Sequence, residues 1–301
     1  MKFQGVLFFP VTPFAADGSM DEERLAEHIA AGVAAGAGGV FVACGTGEFH
    51  ALTPDELERA TRVAVRTTAG RVPVLAAAGG PVPVARDHAV RVARAGADGI
   101  LLLPPYLVTA PQRGLVRYVE EVTAATGLPV VFYQRGTARL TGDTAAEIAA
   151  LPRVVGLKDG LGDLELMHRI VRAVRARTPK DFHFFNGLPT AEMTAPAYRG
   201  IGVDLYSSAV FAFAPEIALA FHRALSEDDL PLVTRLLDEF YGPLVELRDE
   251  VPGYAVALVK AGVTLRGLDV GGVRAPLVDP TPEHVSRLAK LIDRGLEVVA
   301  A

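Results

Sequence analysis

Five of the 30 basic side chains are lysine, and one of them, Lys158, closes the apolar run Val154-Val155-Gly156-Leu157. Lysine is rarely buried without a reason. This chain otherwise prefers arginine, so a lysine kept inside an apolar run points to chemistry that a guanidinium cannot perform. A desolvated amine has a lowered pKa and can condense with a ketone to form an imine; arginine cannot. The competing reading is an ion pair with the neighbouring Asp159. Lys260, which ends Ala255-Val-Ala-Leu-Val, is a second candidate amine. Its place on a predicted tail helix favours a stem lying on apolar surface and an ammonium reaching water.

Other residues offer complementary chemistry. Tyr133 ends Val130-Val-Phe-Tyr, where a phenol can move protons beside a bound imine or act as a core aromatic with its hydroxyl at the rim. Gly45-Thr46-Gly47-Glu48 is a glycine-rich turn ahead of a helix. Its backbone N–H groups and the Thr46 hydroxyl suit a carboxylate, and an ordinary connecting loop fits equally well. Glu48 reads as a structural hydrogen-bonding residue. Tyr106 follows Pro104-Pro105 in a stiff loop, available to substrate, to a partner subunit or to packing. Arg135, Asn186, Ser207 and Ser208 also stand at predicted strand ends, available for a substrate's far carboxylate and hydroxyls, although the serines suit a cap as well. The seven histidines show no metal-ligand spacing. His28, His88, His168 and His222 are expected on solvated helix faces; His50 and His183 lie closer to the candidate residues but lack partners. No metal is expected. No G-x-G-x-x-G follows the first strand, so a nicotinamide is not expected either, and the chemistry needs no cofactor.

Positioning these residues requires short buried strands alternating with longer helices. The strand candidates are Gly5–Phe9, Val40–Ala43, Val74–Ala77, Gly99–Leu102, Val130–Tyr133, Val154–Lys158, His183–Asn186 and Gly202–Tyr206. Their continuous apolar character suits a parallel sheet covered on both faces. Between them, Asp21–Ala35, Pro54–Ala69, Pro83–Ala95, Pro111–Thr126 and Asp163–Arg177 read as helices; Thr53-Pro54 followed by Asp55-Glu56 is a helix-start signature. Ala35-Gly-Ala-Gly-Gly-Val40 recurs as Ala95-Gly-Ala-Asp-Gly-Ile100, a helix end re-entering a strand. Eight such units predict an α/β fold, a (β/α)8 TIM barrel, whose functional groups gather at the C-terminal ends of the strands. Beyond it, Ala214–Leu225, Asp228–Arg248, Gly253–Leu265 and Thr281–Val298 read as helical. The expectation is one domain over residues 1–301: a barrel to about 225 and a C-terminal helical extension of roughly three helices over about 226–301.

With 301 residues, half of them hydrophobic, the chain can bury a large core. A net charge of −5 with scattered basic residues argues against a nucleic-acid partner. No apolar run is long enough to span a membrane. The N-terminal Met1–Phe14 segment is apolar, but its prolines and the lack of a cleavage site make it a first strand rather than a signal peptide. The single cysteine, Cys44, excludes an internal disulfide and fits the cytoplasm.

Taken together, Pro10-Val-Thr-Pro-Phe14, Gly45-Thr46-Gly47-Glu48, Pro104-Pro105-Tyr106, Tyr133 and Lys158 resemble, in order and spacing, the dihydrodipicolinate synthase / N-acetylneuraminate lyase family. The similarity runs through essentially the whole chain. It implies that Lys158 forms a Schiff base with a 2-oxo acid, that Tyr133 is the proton shuttle, and that Gly45 and Thr46 hold the 2-oxo acid's carboxylate. It also implies a homotetramer built as a dimer of dimers, with Tyr106 able to cross an interface. Gly156-Leu-Lys-Asp-Gly160, Asn186-Gly-Leu-Pro-Thr-Ala-Glu192 and Tyr206-Ser-Ser-Ala-Val-Phe211 are similar to the family's decarboxylating dehydratases. Those enzymes act on a small-molecule 2-oxo sugar diacid. The resemblance leads one to expect Asn where Gln134 stands and a larger aromatic where His50 stands. The alternatives are a pyruvate-dependent aldolase or synthase of the same family, and a non-catalytic barrel that binds a sugar acid. A phosphate-binding barrel is disfavoured, because neither Asn186-Gly-Leu-Pro nor Tyr206-Ser-Ser makes a phosphate loop.

Overall fold

The computed structural model describes residues 3–105, 107–178 and 181–301. Eight strands close a parallel barrel in sequence order, with the last pairing the first. They are β1 (Leu7–Phe8), β2 (Gly39–Val42), β3 (Val74–Ala78), β4 (Gly99–Leu102), β5 (Val130–Gln134), β6 (Val154–Asp159), β7 (His183–Asn186) and β8 (Leu205–Ser208). Each is followed by a helix: α1 (Glu22–Ala34), α2 (Pro54–Thr68), α3 (Val82–Arg94), α4 (Gln112–Ala124), α5 (Gly142–Ala150), α6 (Leu164–Arg177), α7 (Ala195–Gly200) and α8 (Pro215–Ser226). The last strand starts at Leu205, three residues later than the apolar pattern suggests, because Gly202 is in the left-handed region at φ +82° and belongs to the preceding turn.

Alternation along the strands builds two cores. Val40, Val42, Ile100, Leu102 and Phe132 face the helices. Leu7, Phe9, Phe41, Leu75, Leu101, Val131 and Phe185 fill the barrel, where the Phe9 and Phe41 rings stack at 4.6 Å. One irregularity matters for function. Val130 pairs with Val154 but Val131 pairs with Gly156, so Val155 is an extra residue, a bulge in β6. Because side chains alternate with period two, one inserted residue flips everything after it to the other face. Val155 packs against the interior and Leu157 faces the helices. Lys158, paired with Tyr133, therefore points inward; a regular strand would send it out.

The helix starts follow local chemistry. Thr53 accepts from the Glu56 N–H while the Glu56 carboxylate accepts from Thr53 N (2.9 Å), a reciprocal cap on α2. Beyond α8 lie α9 (Leu230–Leu236), α10 (Gly242–Asp249), α11 (Tyr254–Leu265) and α12 (Pro282–Ala300). The segment expected as one helix over Asp228–Arg248 is instead α9 and α10 joined by a π turn at Leu237–Tyr241. Pro243 has no N–H to give to a carbonyl one turn earlier, and the wider turn before it accommodates that loss. Among the described residues, no helix is long and apolar enough to cross a membrane.

Candidate active site

Lys158 projects from β6 near the C-terminal end of the barrel and is 6% exposed. Burial pulls its pKa from 10.5 down to about 7. Its Nζ sits 4.5 Å from the Phe9 ring centre and 4.3 Å from that of Tyr133, and it has no hydrogen bond or ion pair among the described residues. The ion pair with Asp159 does not form. Asp159 points to the opposite face, where its carboxylate accepts from Gln134 Nε2 (2.6 Å) and from the Tyr198 hydroxyl. Lys158 is thus a desolvated, unpaired amine, suited to attack a carbonyl.

Tyr133 enters from β5. Its hydroxyl donates to Gly187 O at 2.7 Å, and burial raises its pKa to about 12. It is a phenol at neutral pH, able to give a proton and take it back. Two glycines make room for this pair. A Cβ on Gly160 would lie 2.7 Å from the Tyr133 hydroxyl, and one on Gly187 would lie 2.7 Å from Lys158 Cε.

Lys158, Tyr133, Gly45, Thr46, Arg135 and Ser207 line one cavity of about 320 Å3, within the range for small-molecule sites. The strand-two turn is fixed from below: Thr12 Oγ1 donates to Gly47 O at 2.7 Å, and a Cβ on Gly47 would sit 2.9 Å from Ala43 Cα. Arg135 Nη1 would be 3.9 Å from a Cβ on Gly45, so the guanidinium lies over this turn. His50, where a larger aromatic was expected, also lines the cavity.

Two expected substrate contacts are turned away. Asn186 follows the inward Phe185 and so faces outward; its Nδ2 donates to Ala191 O (3.0 Å) and Thr194 Oγ1 (2.8 Å). Ser208 follows the inward Ser207; it donates to Glu192 Oε1 (2.5 Å) and accepts from Phe211 N, the capping role. Tyr106 lies outside the described residues. Lys260 does not snorkel. It is 2% exposed, donating to Glu48 Oε1 (2.9 Å) and Gly272 O (2.6 Å) over the Phe14 ring. Glu48 also accepts from Arg274 N (2.9 Å), so this pair fastens the strand-two turn to the C-terminal extension. His28 and His88 are buried as well, not solvated, and His28 is pushed down to about 4 by that burial.

Sequence reasoning missed the part of the wall that the extension supplies: Gly253, Ala255 and Val256 at the start of α11, and Leu277. Leu188 and Pro189 from the β7 loop adjoin them. None carries a reactive side chain, so no residue-type signal marked them.

The barrel with an unpaired, desolvated lysine amine at its C-terminal mouth defines the class: a (β/α)8 barrel equipped for imine chemistry on a small carbonyl compound. The Dihydrodipicolinate synthetase family model matches residues 2–294, and the chain belongs to that family. It is 58% identical over 291 residues to "Probable 5-dehydro-4-deoxyglucarate dehydratase 1" of Streptomyces avermitilis, covering 97% of this chain and 93% of the relative. It is 59% identical over 296 residues to the protein of the same description from Streptomyces coelicolor, covering 98% and 94%. Among solved structures, it superposes on the dihydrodipicolinate synthase of Oceanobacillus iheyensis with a TM-score of 0.89 at 24% identity, covering 97% of this chain and 96% of the other. That last likeness is one of fold.

Proposed function

We propose that this chain is a decarboxylating hydro-lyase that converts 5-dehydro-4-deoxy-D-glucarate to 2,5-dioxopentanoate, CO2 and water through an imine on Lys158. The observation that carries the chemistry is the buried Lys158 amine, with a pKa of about 7, beside the Tyr133 phenol. The substrate is supported by the names of relatives 58% and 59% identical over nearly the whole chain.

The neutral amine adds to the C5 ketone. The Tyr133 phenol protonates the departing carbinolamine oxygen, which leaves as water. The phenolate, held beside the new iminium cation, then takes a proton from C4. The enamine expels the C3 hydroxyl, which collects that proton from Tyr133 and leaves as the reaction's net water. A C3=C4 bond conjugated to the iminium remains. The C1–C2 electron pair flows into this system as CO2 departs. A proton from solvent goes to C4, the C2 enol becomes the aldehyde, and hydrolysis of the iminium releases the five-carbon product, restores the amine and returns a proton to the Tyr133 phenolate. One electron sink serves both losses. Gly45 and Thr46 hold the carboxylate next to the ketone, and Arg135, expected at the far carboxylate, lies over that turn and joins them instead; Ser207 is the remaining hydroxyl for the chain's oxygens. The resemblance further supports a homo-oligomer, a tetramer as a dimer of dimers, and the single cysteine fits work in a reducing cytoplasm.

Borohydride added with substrate is expected to leave a mass adduct on Lys158, and Lys158→Arg is expected to be inactive despite keeping the charge. Full activity in Lys158→Ala would refute the mechanism. Release of pyruvate instead of CO2 would reassign the chain to the aldolase branch.

A further inference from the structure

The cavity is chemically lopsided. On one side Arg135 lies over the Gly45 turn, its Nη1 3.9 Å from where a Gly45 Cβ would be, so guanidinium and turn converge on a single carboxylate. The Lys158 stem lies against Gly187. Elsewhere in the wall the side chains of Leu188, Ala255, Val256 and Leu277 offer no hydrogen-bond donor. A diacid whose first carboxylate is held by the turn has a second one to set against the rest of the wall, where His50, Ser207 and the start of α11 are the remaining polar groups.

The donors in that part of the wall are backbone. Gly253, Ala255 and Val256 are the N-cap and first turn of α11, a helix of 12 residues. Among the described residues no side chain caps this helix, and no acidic residue lies in its first turn. The N–H groups of Tyr254 and Val256 turn back on Val251 O (3.2 Å) and Gly253 O (3.3 Å), while that of Ala255 has no acceptor among the described residues. Leu277 packs against the start of the helix, where a Cβ on Gly253 would meet its Cδ2 at 2.8 Å. An open helix N-terminus carries partial positive charge and free donors, both suited to a carboxylate. A second observation points to a ligand in the same space: Lys158, 6% exposed and without a hydrogen-bonding partner among the described residues, lines the same cavity as this helix start.

We propose that the N-terminus of α11 binds the far carboxylate of a 2-oxo diacid whose ketone is joined to Lys158, so that the C-terminal extension selects diacids over monoacids. This rests on the imine chemistry proposed for Lys158. The test compares two ligands on Ala255→Asp and Val256→Asp. Acids in a first helical turn favour the helix, so the fold is expected to stand, while the new carboxylate occupies the N–H groups and repels the substrate's. KM for 5-dehydro-4-deoxyglucarate is expected to rise at least tenfold. Half-saturation for borohydride trapping of pyruvate, which has only the near carboxylate, is expected to shift less than threefold. No loss for the diacid in either variant, or an equal loss for both ligands, would overturn the assignment. Absence of any pyruvate adduct on Lys158 in the unaltered protein would bring down the imine reading itself.

Discussion

Replacing Lys158 by Met is expected to abolish activity and make the fold more stable, by an amount that shrinks as pH rises. The amine holds its proton up to about pH 10.5 in the unfolded chain but only to about 7 in the folded one. Between those values the unfolded state binds more protons, so folding stability rises with pH across that window. Below pH 7 both states are protonated and the full penalty of burying the charge applies. A tenfold difference in proton affinity is worth about 1.4 kcal/mol, so the penalty comes to about 4 kcal/mol at pH 7, about 2 kcal/mol at pH 9, and vanishes above 10.5. Methionine removes the charge and leaves an apolar stem between the Phe9 and Tyr133 rings. Urea titrations of both proteins at pH 7 and pH 9 measure the gap. The same amine governs catalysis in the wild type: only its neutral form attacks, so kcat/KM is expected to rise with pH through about 7 and then level off. A Met variant no more stable than wild type at pH 7, or a gap that does not narrow by pH 9, would refute the claim that Lys158 is a desolvated, unpaired amine.

Lys260→Met leaves the Glu48 carboxylate buried without its cation and is expected to cost about 3–5 kcal/mol in chemical denaturation, because an uncompensated buried charge remains. Adding Glu48→Gln should recover part of that loss, and no recovery in the double variant would argue against the pairing. Gly160→Ala places a Cβ 2.7 Å from the Tyr133 hydroxyl, too close for both to stay. It is expected to lower kcat about 100-fold, as a displacement of roughly 1 Å does in active sites, with little change in thermal melting; a kcat within twofold of wild type would show that Tyr133 is not held there.

Much of the architecture was written locally. Each strand reads as a short apolar run because both its faces are buried, and each helix start reads from a cap such as Thr53 with Glu56, which are interactions between neighbours in the chain. Lys158 stands out for the same reason: a lone amine at the end of an apolar run is a local contradiction. The direction that amine faces is not local. It depends on the register between β5 and β6, where one extra residue at Val155 turns Lys158 inward and Asp159 outward. The same alternation, set by pairing with neighbouring strands, separates Ser207 from Ser208 and turns Asn186 out of the site. Lys260 shows the limit most clearly. Its partner Glu48 lies 212 positions away, and no helical period can reveal that a tail residue will be sealed under the strand-two turn. The start of α11 is a similar case, because its donors are backbone N–H groups that every residue except proline carries. Composition and periodicity determined the elements and the reactive residue types. The closing of the barrel and the docking of the extension decided which of those residues share a cavity, because burial and distance arise only when segments far apart in sequence pack together.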